Sequence, residues 1–215
     1  MTMNLRDDRI LEYAEAHSQP EPELLQKLNR ETHQKVLSPR MLSGHFQGRI
    51  LSMISKLLQP KTILEIGTYT GYSALCLAEG LTKNGVLHTI DINEELVDLQ
   101  KKYFDASPYG ENIIQHLGKA LDIIPKLDAT FDLIFIDADK GNYPNYLEII
   151  LPKTKSGSVI LSDNVLWSGK VTEPEKASDR TTKILKEYNL LLKNHPKLET
   201  ILLPIRDGLT VSRVI

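Results

Sequence analysis

The spacing of apolar positions divides the chain into a helical preface, an alternating middle and a paired end. Leu5 to Ala16 and Glu21 to Val36 carry amphipathic helical patterns, separated at Ser18-Gln19-Pro20, with Leu24, Leu25 and Leu28 at helical spacing. Ser38-Pro39 interrupts the pattern, and Ser43 is a cap residue for a third helix to Leu58 along Phe46, Ile50, Leu51, Ile54 and Leu57. From Thr62 the period changes. Short continuous apolar runs (Thr62 to Ile66, Gly85 to Asp91, Ile113 to Leu117, Phe131 to Asp137, Ser158 to Leu161) predict strands covered on both faces. Between them, a helix starting near Gly71, then Glu94 to Phe104, Ala120 to Leu127 and Tyr143 to Leu151 read as helices. Such alternation implies a parallel sheet with right-handed crossovers. The end differs: Glu199 to Ile205, Asp207-Gly208 and Leu209 to Val214 predict a hairpin with an Asp-Gly turn. A hairpin forces one strand antiparallel. The expectation is therefore one α/β domain over 1–215, a helical preface over 1–58 and a mixed seven-stranded sheet within 59–215.

Composition narrows the partners. The formal net charge of −2 over 215 residues gives no basic footprint for nucleic acid or an anionic membrane. Cys76, the single cysteine, excludes an intrachain disulfide, and its apolar surroundings (Ala74 to Ala78) predict a buried thiol. Met1 to Asp8 lacks the apolar core of a signal peptide, and no run is long enough to span a bilayer. The expected compartment is the cytoplasm.

Chemistry gathers at the predicted carboxyl ends of strands, where open α/β sheets bind their ligands. Gly67 ends the first strand in Glu65-Ile66-Gly67-Thr68-Tyr69-Thr70-Gly71-Tyr72-Ser73. A glycine there permits a tight turn and lets a ligand approach the main chain; the backbone N–H groups of the following helix face that ligand. The Gly67-x-x-x-Gly71 spacing departs from the glycine pattern of dinucleotide folds. Asp91, ending the second strand, suits the two hydroxyls of a ribose, with Asn93 available to cap the next helix. Asp137 ends the fourth strand; Asp163 and Asn164 end the fifth. Two carboxylates and an amide oxygen form a hard donor set for Mg²⁺, Mn²⁺ or Ca²⁺ with positions left for water or substrate, although the same residue types serve as caps and turn formers. Lys140 is a candidate general base, since a nearby cation depresses a lysine pKa. Trp167, the single tryptophan, offers either an aromatic wall for a substrate or a core contact.

These segments resemble the cation-dependent, S-adenosylmethionine-using O-methyltransferases, the group of caffeoyl-CoA and catechol O-methyltransferases. The resemblance runs from about Met41 to the carboxyl terminus. It is carried by Glu65 to Ser73, Ile136-Asp137-Ala138-Asp139-Lys140 with Asn142-Tyr143, Asp163 to Gly169, and Leu203 to Thr210. It implies a Rossmann-like class I methyltransferase fold with helices on both faces and methyl transfer to a catechol-type or hydroxycinnamoyl-type hydroxyl. By that resemblance, Met41, Glu65, Gly67, Tyr69, Ser73, Asp91, Ala120 and Asp137 bind S-adenosylmethionine. Asp137, Asp163 and Asn164 hold a divalent cation, Mg²⁺ before Mn²⁺ or Ca²⁺, and Lys140 and Asp137 are catalytic. Trp167 and Lys140 face the acceptor, a small aromatic molecule with adjacent hydroxyls, within a wall formed by Trp167 to Ser178. A homodimer is implied as well. The stretch Ser43-Gly44-His45-Phe46 departs from the more acidic pattern of the caffeoyl-CoA enzymes, which leaves the acceptor open. A nucleotide-dependent oxidoreductase or a non-catalytic cofactor-binding protein on the same fold is the alternative.

Overall fold

A computed structural model describes residues 8–176 and 178–215. The expected start of the first helix at Leu5 lies outside these residues. Three helices, α1 (Asp8–Ala16), α2 (Glu23–Lys35) and α3 (Gly44–Leu58), precede the sheet. Then β1 (Thr62–Ile66), α4 (Tyr72–Ala78), β2 (Val86–Asp91), α5 (Val97–Asp105) and β3 (Ile113–Leu117) alternate. The same alternation continues through α6 (Ala120–Ile123), β4 (Phe131–Ile136), α7 (Tyr143–Ile150) and β5 (Thr154–Asp163). Helix α8 (Arg180–Asn194) leads to the hairpin strands β6 (Leu198–Leu203) and β7 (Leu209–Val214).

The sheet has seven strands in the order β3-β2-β1-β4-β5-β7-β6. The first five are parallel, and β7 inserts antiparallel between β5 and β6. This is the expected Rossmann-like mixed sheet. Side chains alternate between two cores. Ile63, Leu133 and Phe135 face one core, closed by α2, α3, α4 and α5; Leu64, Ile66, Ile134 and Ile136 face the other, closed by α6, α7 and α8. Phe131 breaks the alternation and joins the second core because the β4–β5 register shifts between Phe131 and Leu133. Fully burying one such aliphatic or aromatic side chain contributes about 1.5–3 kcal/mol. On the first face, Glu79 beside the end of α4 receives Arg49 at 2.6 Å and Lys56 at 2.6 Å, tying α3 down. Cys76 is fully buried there, and burial pushes its thiol up to about 12, so it stays protonated as a core residue.

Several local expectations change. Ser43 makes no side-chain cap hydrogen bond; it is already helical in backbone conformation, and α3 begins at Gly44 with φ of 75°. The helix from Ala120 leaves the α-helical form after Ile123 and tightens into a 3₁₀ turn over Ile124–Lys126, because Pro125 supplies no N–H. The hairpin is looser than Asp-Gly alone predicts. Strand β6 stops at Leu203, and residues 204–208 turn through an Arg206 with φ of 50°, closed by Gly208 N–H donating to Ile205 O at 2.8 Å. Helix α8 has no counterpart in the sequence reading. Its signals were present: Asp179 accepts from Thr182 N–H as a cap, and Leu185, Tyr188 and Leu192 share its buried face.

Candidate active site

The strand order reverses around β1, with β2 on one side and β4 on the other. Ligands of open α/β sheets lie at such a switch point, beyond the strand carboxyl ends. A cavity of about 1640 Å³ occupies that place. All twelve residues expected at the site except Glu65 line it: Met41, Gly67, Tyr69, Ser73, Asp91, Ala120, Asp137, Lys140, Asp163, Asn164 and Trp167. Glu65 sits fully buried in β1 beneath it.

The floor is made by β1 and β2. Gly67 has φ of 99°, and a Cβ there would stand 2.0 Å from Asp137 O. Its glycine is thus required by the close approach of the chain leaving β4, rather than by a ligand alone. Gly71, at φ of 89°, begins α4 and packs where a Cβ would strike the Phe104 ring at 2.6 Å. The Asp91 carboxylate organises the rim. One oxygen accepts Tyr69 N–H at 2.7 Å and the other accepts Asn93 N–H at 2.9 Å, leaving further lone pairs on both. Asn93 in turn caps the next turn by accepting Glu95 N–H, as its sequence position predicts.

Glu65 is the unusual group. Thr68 and Thr89 hydroxyls lie 2.5 Å apart, and Thr89 donates to Glu65 Oε2 at 2.5 Å. Glu65 Oε1 is buried without a hydrogen-bond partner. Burial pushes this carboxyl up to about 8, against the lowering effect of the nearby Ser73 and Thr89 hydroxyls. A group raised above its unfolded value of about 4.3 contributes most stability while protonated, and loses it as pH rises through the folded pKa. The ligand-free protein is therefore expected to lose stability between about pH 4.5 and 8, and Glu65→Gln to flatten that slope. Thermal unfolding of both proteins across this range checks it; parallel curves would refute a protonated Glu65.

The other half of the cavity belongs to β4 and β5. Lys140, whose side chain is 9% exposed, donates to Asp137 Oδ1 at 2.9 Å and to the Tyr143 hydroxyl at 2.7 Å. Tyr143 is fully buried and lies 3.0 Å from the Asp163 carbonyl oxygen, so it links the ends of both strands. Asp163 accepts Asn164 N–H at 2.8 Å on Oδ1 and Gln47 Nε2–H at 2.6 Å on Oδ2. Burial, and then the charge of Asp137, push the Asp163 carboxyl up to about 6. Asn164 stands at φ of 58°, which turns the chain into the wall carrying Trp167. That wall is pinned to the hairpin loop, where Asp207 accepts Ser168 N–H at 2.5 Å. The expected wall, Trp167 to Ser178, includes Ala177, which lies outside the described residues. Gln47, which bonds Asp163, and Arg206, which lines the cavity, are not among the residues the sequence points to, and Asp207 is legible there only as a turn residue.

The family model for O-methyltransferases matches residues 15–215. The chain belongs to the O-methyltransferase family. It is 34% identical to the caffeoyl-CoA O-methyltransferase of Petroselinum crispum, over 97% of this chain and 92% of that protein. Among solved structures, the S-adenosylhomocysteine-bound methyltransferase PaMTH1 of Podospora anserina superposes with a TM-score of 0.88 at 28% identity, covering 97% of this chain and 94% of that one. The O-methyltransferase TomG of Streptomyces achromogenes, in complex with S-adenosylmethionine, gives 0.84 at 29%, with 94% of each chain covered. The methyl donor of this O-methyltransferase is S-adenosylmethionine. Its cavity fits that cofactor on its own chemistry: Gly67, Tyr69, Ser73 and the Asp91 carboxylate, which keeps free lone pairs on both oxygens, line one floor of it. Among the described residues, no three His, Cys, Asp or Glu side chains gather as a metal cluster. Asp137, Asp163 and Asn164 bring two carboxylates and one amide to the same cavity. That all-oxygen donor set fits a hard divalent cation.

Proposed function

We propose that this O-methyltransferase methylates one hydroxyl of a catechol-type or hydroxycinnamoyl-type acceptor with the help of a divalent cation. The observation that carries the proposal is the meeting of Asp137, Lys140, Asp163 and Asn164 in the cavity wall opposite the Asp91 floor. The caffeoyl-CoA enzymes to which the chain is similar support the acceptor class.

S-adenosylmethionine supplies a methyl group on a sulfonium, ready for transfer to an oxygen nucleophile. Asp91 accepts from the ribose hydroxyls while keeping Tyr69 N–H as a third partner. Ala120, 6% exposed at the start of α6, borders the adenine, and Met41 covers the cofactor from the turn before α3. Ser73 lies by the methionine carboxylate and Asp137 by its amino group, with Glu65 buried beneath them in β1. Asp137, Asp163 and Asn164 hold the cation, most fittingly Mg²⁺, with Mn²⁺ or Ca²⁺ as alternatives. When bound, the cation lowers the pKa of the acceptor hydroxyl and fixes its oxygen. Lys140 Nζ, held in place by Asp137 and Tyr143, takes the hydroxyl proton as the neutral amine and becomes the ammonium that Asp137 neutralises. Trp167 offers the acceptor ring an aromatic face, and the walls exclude water and orient the attack.

Transfer of a labelled methyl group to a catechol, compared with its single-hydroxyl analogue, tests the acceptor class. The catechol is expected to react at least about tenfold faster, since only adjacent oxygens occupy two cation positions at once. Equal rates would reject it. The proposal includes a cytoplasmic homodimer, supported by exposed apolar side chains on α3 (Met53, Leu57) and α1 (Ile10, Leu11, Tyr13); light scattering showing a monomer at micromolar concentration would remove the dimer. No helix of the described residues is long and apolar enough to cross a membrane.

A further inference from the structure

One chain of hydrogen bonds reaches the proposed cation site from outside it. Gln47, on the first turn of α3, is 3% exposed and donates from Nε2 to Asp163 Oδ2 at 2.6 Å. Its Oε1 accepts Arg206 Nη1–H at 2.5 Å, and the same Nη1 also donates to the Ser43 carbonyl. The direction of this chain is set by chemistry. Guanidinium has no acceptor and an ionised carboxylate has no donor, so only one orientation of the Gln47 amide satisfies both neighbours. Arg206 thereby holds the amide with its N–H groups toward Asp163. Asp163 then has one bond on each oxygen, from Gln47 and from Asn164 N–H, and keeps a lone pair on each.

We propose that Gln47 and Arg206 are positioning residues for the cation: Arg206 locks the Gln47 amide, and Gln47 locks the Asp163 carboxylate in the rotamer that faces the cavity. The inference rests on the cation reading above. Partners of this kind orient a ligating carboxylate without touching the metal, and their loss typically weakens metal binding by 10–100-fold. The chain also joins three walls. Ser43 and Gln47 belong to the segment that enters α3 beside Met41, Arg206 to the β6–β7 loop, and Asp163 to β5. In that loop Asp207, next to Arg206, accepts Leu166 N–H only through its carbonyl, at 2.9 Å, and Ser168 N–H through its carboxylate. The cost of the arrangement is local. Arg206 adopts φ of 50°, a conformation that glycine takes freely, and keeps it because the guanidinium is needed across the cavity mouth.

That strained backbone supplies a clean test. Arg206→Gly removes the guanidinium at a position whose backbone suits glycine, so the melting temperature is expected to hold or rise. Gln47→Met removes both hydrogen bonds at nearly constant volume. Mn²⁺ affinity is read by electron paramagnetic resonance on each protein loaded with S-adenosylhomocysteine. Both variants are expected to bind Mn²⁺ about 10–100-fold more weakly, while S-adenosylhomocysteine affinity stays within about twofold. In turnover, the KM for Mn²⁺ rises by more than kcat falls. Mn²⁺ affinities within about twofold of wild type in both variants would overturn the positioning role and leave the cation reading standing. A wild-type protein that binds no Mn²⁺ would overturn both.

Discussion

Removal of divalent cations with EDTA is expected to reduce methyl transfer to a catechol at least about 10³-fold, while S-adenosylhomocysteine affinity changes by less than about twofold. A Lewis acid at a developing oxyanion supplies several kcal/mol, and each 1.4 kcal/mol is about a factor of ten. The asymmetry between transfer and cofactor binding follows from the geometry. The cofactor floor consists of Gly67, Ser73 and Asp91 on the β1 and β2 side, whereas Asp163 and Asn164 close β5. Mg²⁺ or Mn²⁺ added back restores turnover, because both accept all-oxygen shells with open positions. Asp163→Ala reproduces the loss. Asp137→Ala is more damaging, because it also strips the partly buried Lys140 ammonium of its carboxylate partner. A catechol methylated at full rate in excess EDTA would reduce Asp137, Asp163 and Asn164 to caps and turn formers.

Lys140→Met is expected to lower kcat by roughly 10²–10⁴-fold, the usual contribution of a positioned general base. Methionine keeps the length and apolar stem of lysine, so the pocket beside Tyr143 remains filled. Cofactor and cation binding are expected to persist, since the bonds that hold Asp91 and Asp163 do not involve Lys140 and only Asp137 loses a partner. The decisive readout is the pH–rate profile. If Nζ takes the proton, the profile changes shape in the variant. An unchanged profile with kcat within about tenfold of wild type would assign Lys140 to structure, as the partner that neutralises Asp137 and braces Tyr143.

The order of elements was readable from the chain because period and burial are local properties. Runs of strand length, such as Ile63 to Ile66 and Leu133 to Ile136, are buried on both faces, and the apolar pattern stops at their carboxyl ends, at Gly67 and at Asp137. That break marks the crevice, which is why Gly67, Asp91, Asp137 and Asp163 could be picked out as neighbours of a ligand. Helix α8 was missed although it is amphipathic. Exposed Leu190 and Leu191 beside its buried Leu185, Tyr188 and Leu192 blur the apolar stripe, and its stability comes from packing against the second core.

Other features depended on distance along the chain. Gln47 meets Asp163 across 116 positions and Arg206 meets Gln47 across 159, separations at which no local spacing carries information. The residue types gave no hint either, since a glutamine on an amphipathic helix and an arginine in a hairpin loop are ordinarily solvated. The Asp-Gly pair marked a reversal, yet the loop opened to residues 204–208, where the backbone N–H groups of Val165 and Leu166 bond its carbonyls. The same holds for Glu65. Its place in β1 is written in the sequence, but its unpartnered oxygen and its raised pKa exist only because α4 and β2 close over it. Local pattern thus determined which segments pair and where the sheet ends face a ligand. Tertiary packing decided which polar atoms are buried, which of them find partners, and therefore which of them are left to bind something else, because burial and hydrogen-bond satisfaction are properties of the assembled neighbours.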